Sequence, residues 1–147
     1  MRFELNSLAD TDALAKRLAP LLKAGDVVAL HGGLGAGKTT FTRALISTLL
    51  GEMTEVPSPT YTLVQTYTGP DFPIFHFDLY RLEDPSDVFE LGWDETQVGL
   101  AVVEWPDRAG SHLPSWRLDL LIEMVGEIRT ARLEPKGEDW QTRLHEF

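Results

Sequence analysis

Residues 29–45 read ALHGGLGAGKTTFTRAL, four glycines and a lysine set between two apolar runs. Gly32, Gly37, Lys38 and Thr39 fit the pattern G-x-x-x-x-G-K-[ST]. The pattern has a physical reason at each position. Several backbone N–H groups must converge on one phosphate, in conformations that side chains obstruct. Glycines at 32, 33, 35 and 37 remove the obstruction. A following helix would point its dipole and free N–H groups at the same spot. Lys38 supplies a mobile positive charge for the β and γ phosphates, and Thr39 a hydroxyl that can ligate Mg²⁺. The segment from Gly32 to Thr40, with Leu34 and Ala36 between the glycines, is therefore the candidate phosphate cradle.

Working outward, DVVAL (26–30) reads as a buried strand entering the loop, and residues 38–50 as an amphipathic helix stopped by Gly51. RFELN (2–6) alternates as a short strand. Ser7 or Asp10 can cap a helix carrying Leu14, Leu18 and Leu22, which Pro20 kinks or ends. EVPSPTYTLVQTY (55–67) opens as a proline-stiffened loop and becomes a strand, and GPDFP is a turn. IFHFD (74–78) and LAVVE (100–104) are strands that each end in an acid. Between them, Asp84-Pro85 has the form of a helix start, a cap followed by proline at the first helical position. RLDLLIEMV and IRTARLEP flank Gly126-Glu127 as a hairpin, and GEDWQTRLHEF closes the chain as a short amphipathic helix. Strands alternate with helices and a hairpin follows. The expected fold is α/β, a P-loop NTPase-like mixed sheet with flanking helices, parallel around the loop, with an antiparallel edge hairpin. All 147 residues fit one domain, 1–147.

Composition narrows the function. Asp and Glu number 23 against 13 Lys and Arg, giving a net charge of −10 with no basic run. Autonomous RNA or DNA binding, which draws on a basic face, is not expected. With no cysteine there are no disulfides, thiolate chemistry or Cys-based zinc sites. The N-terminus has no signal-like apolar core, and no apolar run approaches the roughly 18 residues of a membrane span. A cytoplasmic chain is the plain expectation.

A phosphate loop needs a carboxylate at a neighbouring strand end to hold Mg²⁺. Asp78 and Glu104 both qualify, and ligands of open α/β sheets bind beyond such strand ends. One acid could hold the cation while the other orients the attacking water. The residues alone do not divide these roles. In SPTYTL (58–63), Ser58, Thr60 and Tyr61 offer hydroxyls on a proline-held loop, either a switch-like nucleotide sensor or a rigid connection. Trp105 reads first as core packing and His76 as a core or surface histidine. Arg129 and Arg132, on a hairpin strand, read as solubilising charges.

GGLGAGKTTFTRAL, SPTYTLVQTY, HFDLYRLEDP and VVEWP occur in the order and spacing of the TsaE (YjeE) family. The chain thus resembles the small bacterial P-loop ATPases of tRNA threonylcarbamoyladenosine synthesis, from about Thr11 to Trp105. The resemblance implies binding and hydrolysis of ATP with Mg²⁺, in support of partners resembling TsaD and TsaB. TsaD, not this chain, would transfer the threonylcarbamoyl group to adenosine 37 of tRNAs reading ANN codons, so tRNA would be met only through the complex. By position, Thr39 and Glu104 match the Mg²⁺ ligands, Lys38 the phosphate lysine, and Asp78 an acid important for hydrolysis. Lys38, Asp78 and Glu104 are then the expected catalytic set. Thr11 and Arg129 match nucleotide contacts. The family loop usually reads G-D-L-G-A-G-K-T-T, and Gly33 stands here in place of the Asp.

Two other functions compete. DLYR (78–81) could mimic the acid and arginine of a P-loop small-molecule kinase, although no arginine-rich lid follows. A nucleotide-sensing module without turnover is the third. The absence of an N-K-x-D motif favours adenine over guanine, and no arginine finger is evident beside the loop.

Overall fold

The structure is a computed structural model that describes residues 1–33, 35–52, 55–57, 62–145 and 147. Seven strands form one sheet: β1 (Arg2–Glu4), β2 (Val27–His31), β3 (Val64–Thr68), β4 (Pro73–Asp78), β5 (Leu100–Glu104), β6 (Arg117–Val125) and β7 (Ile128–Lys136). Their order is β1-β7-β6-β2-β5-β4-β3. The four central strands β6, β2, β5 and β4 run parallel. Antiparallel pairing occurs at both edges, β6–β7–β1 on one side and β4–β3 on the other. The expected mixed α/β sheet is present, and its antiparallel character extends to a second edge.

Helix α1 (Leu8–Leu18) starts where Ser7, in extended conformation, accepts a hydrogen bond from the Asp10 backbone N–H through its side chain. It passes into a 3₁₀ turn at Ala19–Leu21, where Pro20 sits in the first turn and needs no N–H partner. Helix α2 (Lys38–Leu50) ends at Gly51, whose left-handed backbone lets its N–H reach the Ser47 and Thr48 carbonyls. Asp84 caps a 3₁₀ segment, Pro85–Leu91, as its Asp-Pro sequence suggests. Helix α3 (Glu138–Leu144) follows β7.

Strand alternation splits the core in two. Val28, Leu30, Ile74, Leu100 and Val102 share a cluster with Leu14 and Leu18 of α1 and Phe41 and Leu45 of α2. Val27, Phe75, Phe77, Ala101 and Val103 belong to a second cluster with Val88 and Trp93. Burying Phe41 and Leu45 stabilises the α2 seat by about 1.5–3 kcal/mol each. That seat sets where the helix N-terminus meets the strand ends. β4 and β5 pair in register, Ile74 with Leu100, His76 with Val102 and Asp78 with Glu104. On the α1–α2 face these strands therefore run from apolar to acidic as they approach the glycine loop.

Candidate functional site

The loop between β2 and α2 folds as a cradle because its glycines adopt conformations other residues avoid. Gly32 has φ +152°, and a Cβ there would lie 2.6 Å from the Ile122 carbonyl oxygen of β6, so the loop passes hard against the sheet. Gly37 has φ +107° and caps α2, leaving the first N–H groups of that helix without a side-chain cap. A cavity of about 280 Å³ opens over this helix end. Gly35, Ala36, Gly37, Lys38, Thr39 and Thr40 line it from the loop, and Asp78, Glu104, Trp105 and Arg129 from the sheet. Strand pairing thus brings together the loop and both strand-end acids.

Lys38 is 5% exposed and its Nζ donates to the Gly32 carbonyl oxygen at 2.6 Å. The same ammonium lies 3.5 Å from the centre of the Trp105 ring. Burial lowers its pKa below the usual lysine value, against the opposing pull of Glu104 and Asp78. Trp105 holds a left-handed backbone, φ 56° and ψ 52°, an uncommon conformation for a bulky residue. It turns the chain at the end of β5, with its ring 4.9 Å from that of Tyr80. Its surroundings are the Lys38 ammonium and the Tyr80 ring, beside the second core cluster, so core packing, the first reading of its sequence context, is joined by a place in the cavity wall.

Thr39 Oγ1 donates to the Glu104 carboxylate, 3.1 Å from Oε1 and 3.3 Å from Oε2. Glu104 is 2% exposed, and its Oε2 also lies 2.6 Å from Nε2 of His76, a fully buried residue. A hydroxyl and a carboxylate converging at the edge of an open cavity are the hard oxygen donors that suit Mg²⁺. Among the described residues there is no group of three or more His, Asp or Glu side chains arranged to hold a metal without such help. Asp78 is 5% exposed and its Oδ1 accepts from the Tyr80 N–H at 3.1 Å, holding the carboxylate at the strand end.

Arg129 is half-buried on β7 and lies against the loop, 3.4 Å from where a Gly37 Cβ would stand. Its hairpin position suggests a solubilising charge, whereas it stands beside the glycine loop, the neighbourhood that the family resemblance implies for it. The cause is tertiary: β6 pairs with β2, so the hairpin folds back along the glycine loop. Arg132 pairs with Glu134 at 3.1 Å at the surface. Thr11 is buried on α1, its hydroxyl 3.5 Å from the Ser7 carbonyl, and does not line the cavity. Gly33 is exposed with open space around its Cα, so the cradle accommodates it without a carboxylate. Leu34 and the hydroxyls of Ser58, Thr60 and Tyr61 lie outside the described residues. The contact the sequence does not reveal is His76 on Glu104. The only sequence signal for it is the i, i+2 spacing that puts His76 on the same face as Asp78.

Comparison with known proteins finds relatives over most of the chain. A family model described as threonylcarbamoyl adenosine biosynthesis protein TsaE matches residues 5–132. A tRNA threonylcarbamoyladenosine biosynthesis protein TsaE of Rickettsia conorii is 49% identical over 104 residues, covering 70% of this chain and 59% of its own length. The Bacillus subtilis protein of the same name is 42% identical over 120 residues, covering 80% of this chain and 74% of its own. Among solved structures, the crystal structure of Bacillus subtilis YdiB superposes with a TM-score of 0.82 at 31% identity, covering 99% of this chain and 92% of that one.

Proposed function

The chain belongs to the TsaE family of threonylcarbamoyl adenosine biosynthesis proteins, and from that membership we propose that it is a Mg²⁺-dependent ATPase serving threonylcarbamoylation of tRNA adenosine 37. The single observation that carries the reading is the meeting of Lys38, Thr39, Asp78 and Glu104 around one cavity at the N-terminus of α2. In this reading the loop N–H groups and Lys38 hold the β and γ phosphates. Thr39 and Glu104 hold Mg²⁺, which when bound polarises the phosphoryl oxygens and offsets charge on the leaving group. Asp78 faces the same cavity from the adjacent strand, placed to orient a water molecule. Arg129 adds positive charge beside the phosphates. A groove of about 520 Å³ between α1 and α2 begins at Thr40, between Leu8, Asp12 and Arg43, and gives room for ribose and base.

The work would be done as an accessory to TsaD- and TsaB-like partners in the cytoplasm. The net charge of −10 supports this, since a chain without a basic face needs a partner to carry the tRNA. No helix among the described residues is long and apolar enough to cross a membrane. The test is release of ADP and phosphate from ATP by the purified chain, with Mg²⁺ titrated and no acceptor added. Slow hydrolysis without acceptor is expected. Glu104→Gln should raise the Mg²⁺ requirement, whereas Asp78→Asn should keep nucleotide binding and lose turnover. Strict dependence on a phosphoryl acceptor would instead make the chain a small-molecule kinase. Binding without turnover, even with partners, would make it a sensor.

A further inference from the structure

His76 is fully buried on β4, away from solvent and from the cavity lining. A buried histidine in a sheet needs partners for both ring nitrogens or it costs stability. This ring has one. Its Nε2 lies 2.6 Å from Glu104 Oε2, and Nδ1 has no hydrogen-bond partner among the described residues. A leucine or phenylalanine, like Ile74 one step back on the same face, would fill the position without an orphaned nitrogen. The ring is therefore poorly explained by packing and well explained by Glu104. We propose that His76 is a positioning residue that fixes the Glu104 carboxylate for the cation, an inference that rests on the ATPase reading above.

The geometry gives the reason. A glutamate side chain has three rotatable bonds, and its carboxylate here must stand beside Thr39 Oγ1 to share a cation with it. Thr39 alone does not lock it, because its hydroxyl lies about equally far from both oxygens, 3.1 and 3.3 Å. His76 breaks that near-symmetry by holding Oε2 from the buried side. Oε1 is then the oxygen left to face the cavity with Thr39. Glu104 carries no proton to give in this role, so Nε2 is the donor and the ring is the Nε2–H form at that nitrogen. The register of β4 with β5, His76 opposite Val102, keeps the ring two residues short of Glu104 along the neighbouring strand, on the same face and within reach of its side chain. Partners that orient a ligating side chain in this way change metal affinity by about 10–100-fold when lost.

Two measurements test this. In the first, a fluorescent ATP analogue is titrated onto the parent chain, His76→Leu and His76→Gln, in EDTA and over a range of Mg²⁺. The Leu variant fills the space without a donor, and the Gln variant returns an N–H donor. Equal affinity in EDTA for all three is expected, with the Mg²⁺ midpoint raised about 10–100-fold in His76→Leu and largely restored in His76→Gln. A His76→Leu chain with the parent's Mg²⁺ midpoint overturns the inference and leaves the ATPase reading intact. So does an equal loss of affinity in EDTA and Mg²⁺, which marks a purely structural role. A parent chain with no Mg²⁺-dependent binding instead removes the ATPase reading, and the inference falls with it. The second measurement needs no variant that might fail to fold. Nitrogen-15 labelling of the four histidines reports which ring nitrogen is protonated in the folded parent chain. A ring with a protected Nε2–H that shifts on adding Mg²⁺ and ADP is expected for His76. A ring protonated at Nδ1 alone overturns the proposal.

Discussion

Replacing Lys38 with methionine should separate function from stability. The parent side chain is buried, and among the described residues its ammonium makes a hydrogen bond to the Gly32 carbonyl and a ring contact with Trp105. Losing a charge-assisted hydrogen bond costs about 1.5–3 kcal/mol, and losing a partly desolvated cation–π contact about 0.5–2 kcal/mol. Against this, the variant no longer takes a charge out of water, a cost of several kcal/mol for a buried ion. The lowered pKa of Lys38, caused first by burial, shows that this cost is present. Methionine is unbranched and fills the same channel against Trp105. The opposing effects nearly cancel, so the folded state should change by about 1 kcal/mol or less, or about 2–4 °C in melting temperature for a chain of this size. Nucleotide binding should behave differently. The ammonium is the one mobile positive charge in the loop, and losing its phosphate contact should cost about 2–4 kcal/mol, roughly 30- to 1000-fold in affinity or rate. Thermal melting with circular dichroism gives the first quantity, and titration with ATP plus a hydrolysis assay gives the second. A melting temperature lowered by more than about 10 °C would show that Lys38 serves the fold. Unchanged ATP affinity and turnover would remove the loop from the mechanism.

Gly32→Ala should weaken both fold and nucleotide binding, because the new Cβ meets the Ile122 carbonyl oxygen at 2.6 Å and the φ of +152° is strained for alanine; a loss of about 1–3 kcal/mol in chemical denaturation is expected from the backbone strain alone, and a chain as stable as the parent would contradict the packing described. Asp119→Asn should cost about 1.5–3 kcal/mol at neutral pH, since Asp119 accepts from His31 and Arg117 at 3.0 and 2.8 Å. Burial would raise the pKa of Asp119, but the hydrogen bonds from His31 and Arg117, together with their charge, outweigh it and hold the carboxyl below its usual range. Its stabilisation is therefore complete above about pH 4 and lost as pH falls further, so the deficit of Asp119→Asn should shrink below about pH 4; a deficit constant with pH would reject the assignment. Association with a TsaB–TsaD-like pair, followed by size exclusion, should be strongest with ATP and weaker with ADP or no nucleotide, and equal retention in all three conditions would speak against nucleotide control.

What the sequence discloses and what it hides follow from how far apart the causes lie along the chain. The glycine loop is local: a buried strand, a left-handed glycine at the helix start and a lysine in the first turn are all within residues 27–39. It reads directly from residue types. Asp78 and Glu104 are nearly as accessible, because an acid closing an apolar strand has a direction as well as a position. Arg129 is picked out by the family resemblance but not by its own stretch of chain, since its place depends on β6 pairing with β2 across some ninety residues. Seen along β7 alone it is a charge on a hairpin. The antiparallel β3–β4 edge is local by contrast: Thr68 stands opposite Pro73 across the GPDFP turn, so both strands and the turn read from the residues.

His76 shows the limit most sharply. Its neighbours Phe75 and Phe77 point into one core, and the alternation that places them also sends His76 to the other face, beside Asp78 and toward β5. The alternation is visible in IFHFD, but the residue it will meet is not, because that depends on the β4–β5 register. A shift of one residue would move His76 to the opposite face and Glu104 would lose its inner partner. The strand pairing therefore does more than hold the sheet together. It converts two separate apolar strands ending in acids into a carboxylate braced from below by an imidazole and from the loop by a hydroxyl. Folding already fixes the rotamers of Glu104 and Thr39, so cation binding need not supply that ordering entropy, about 0.5–2 kcal/mol for each such side chain. The chemistry of the site is in this sense a consequence of sheet register, and substitutions that disturb the register should impair cation binding even where they leave every loop residue in place.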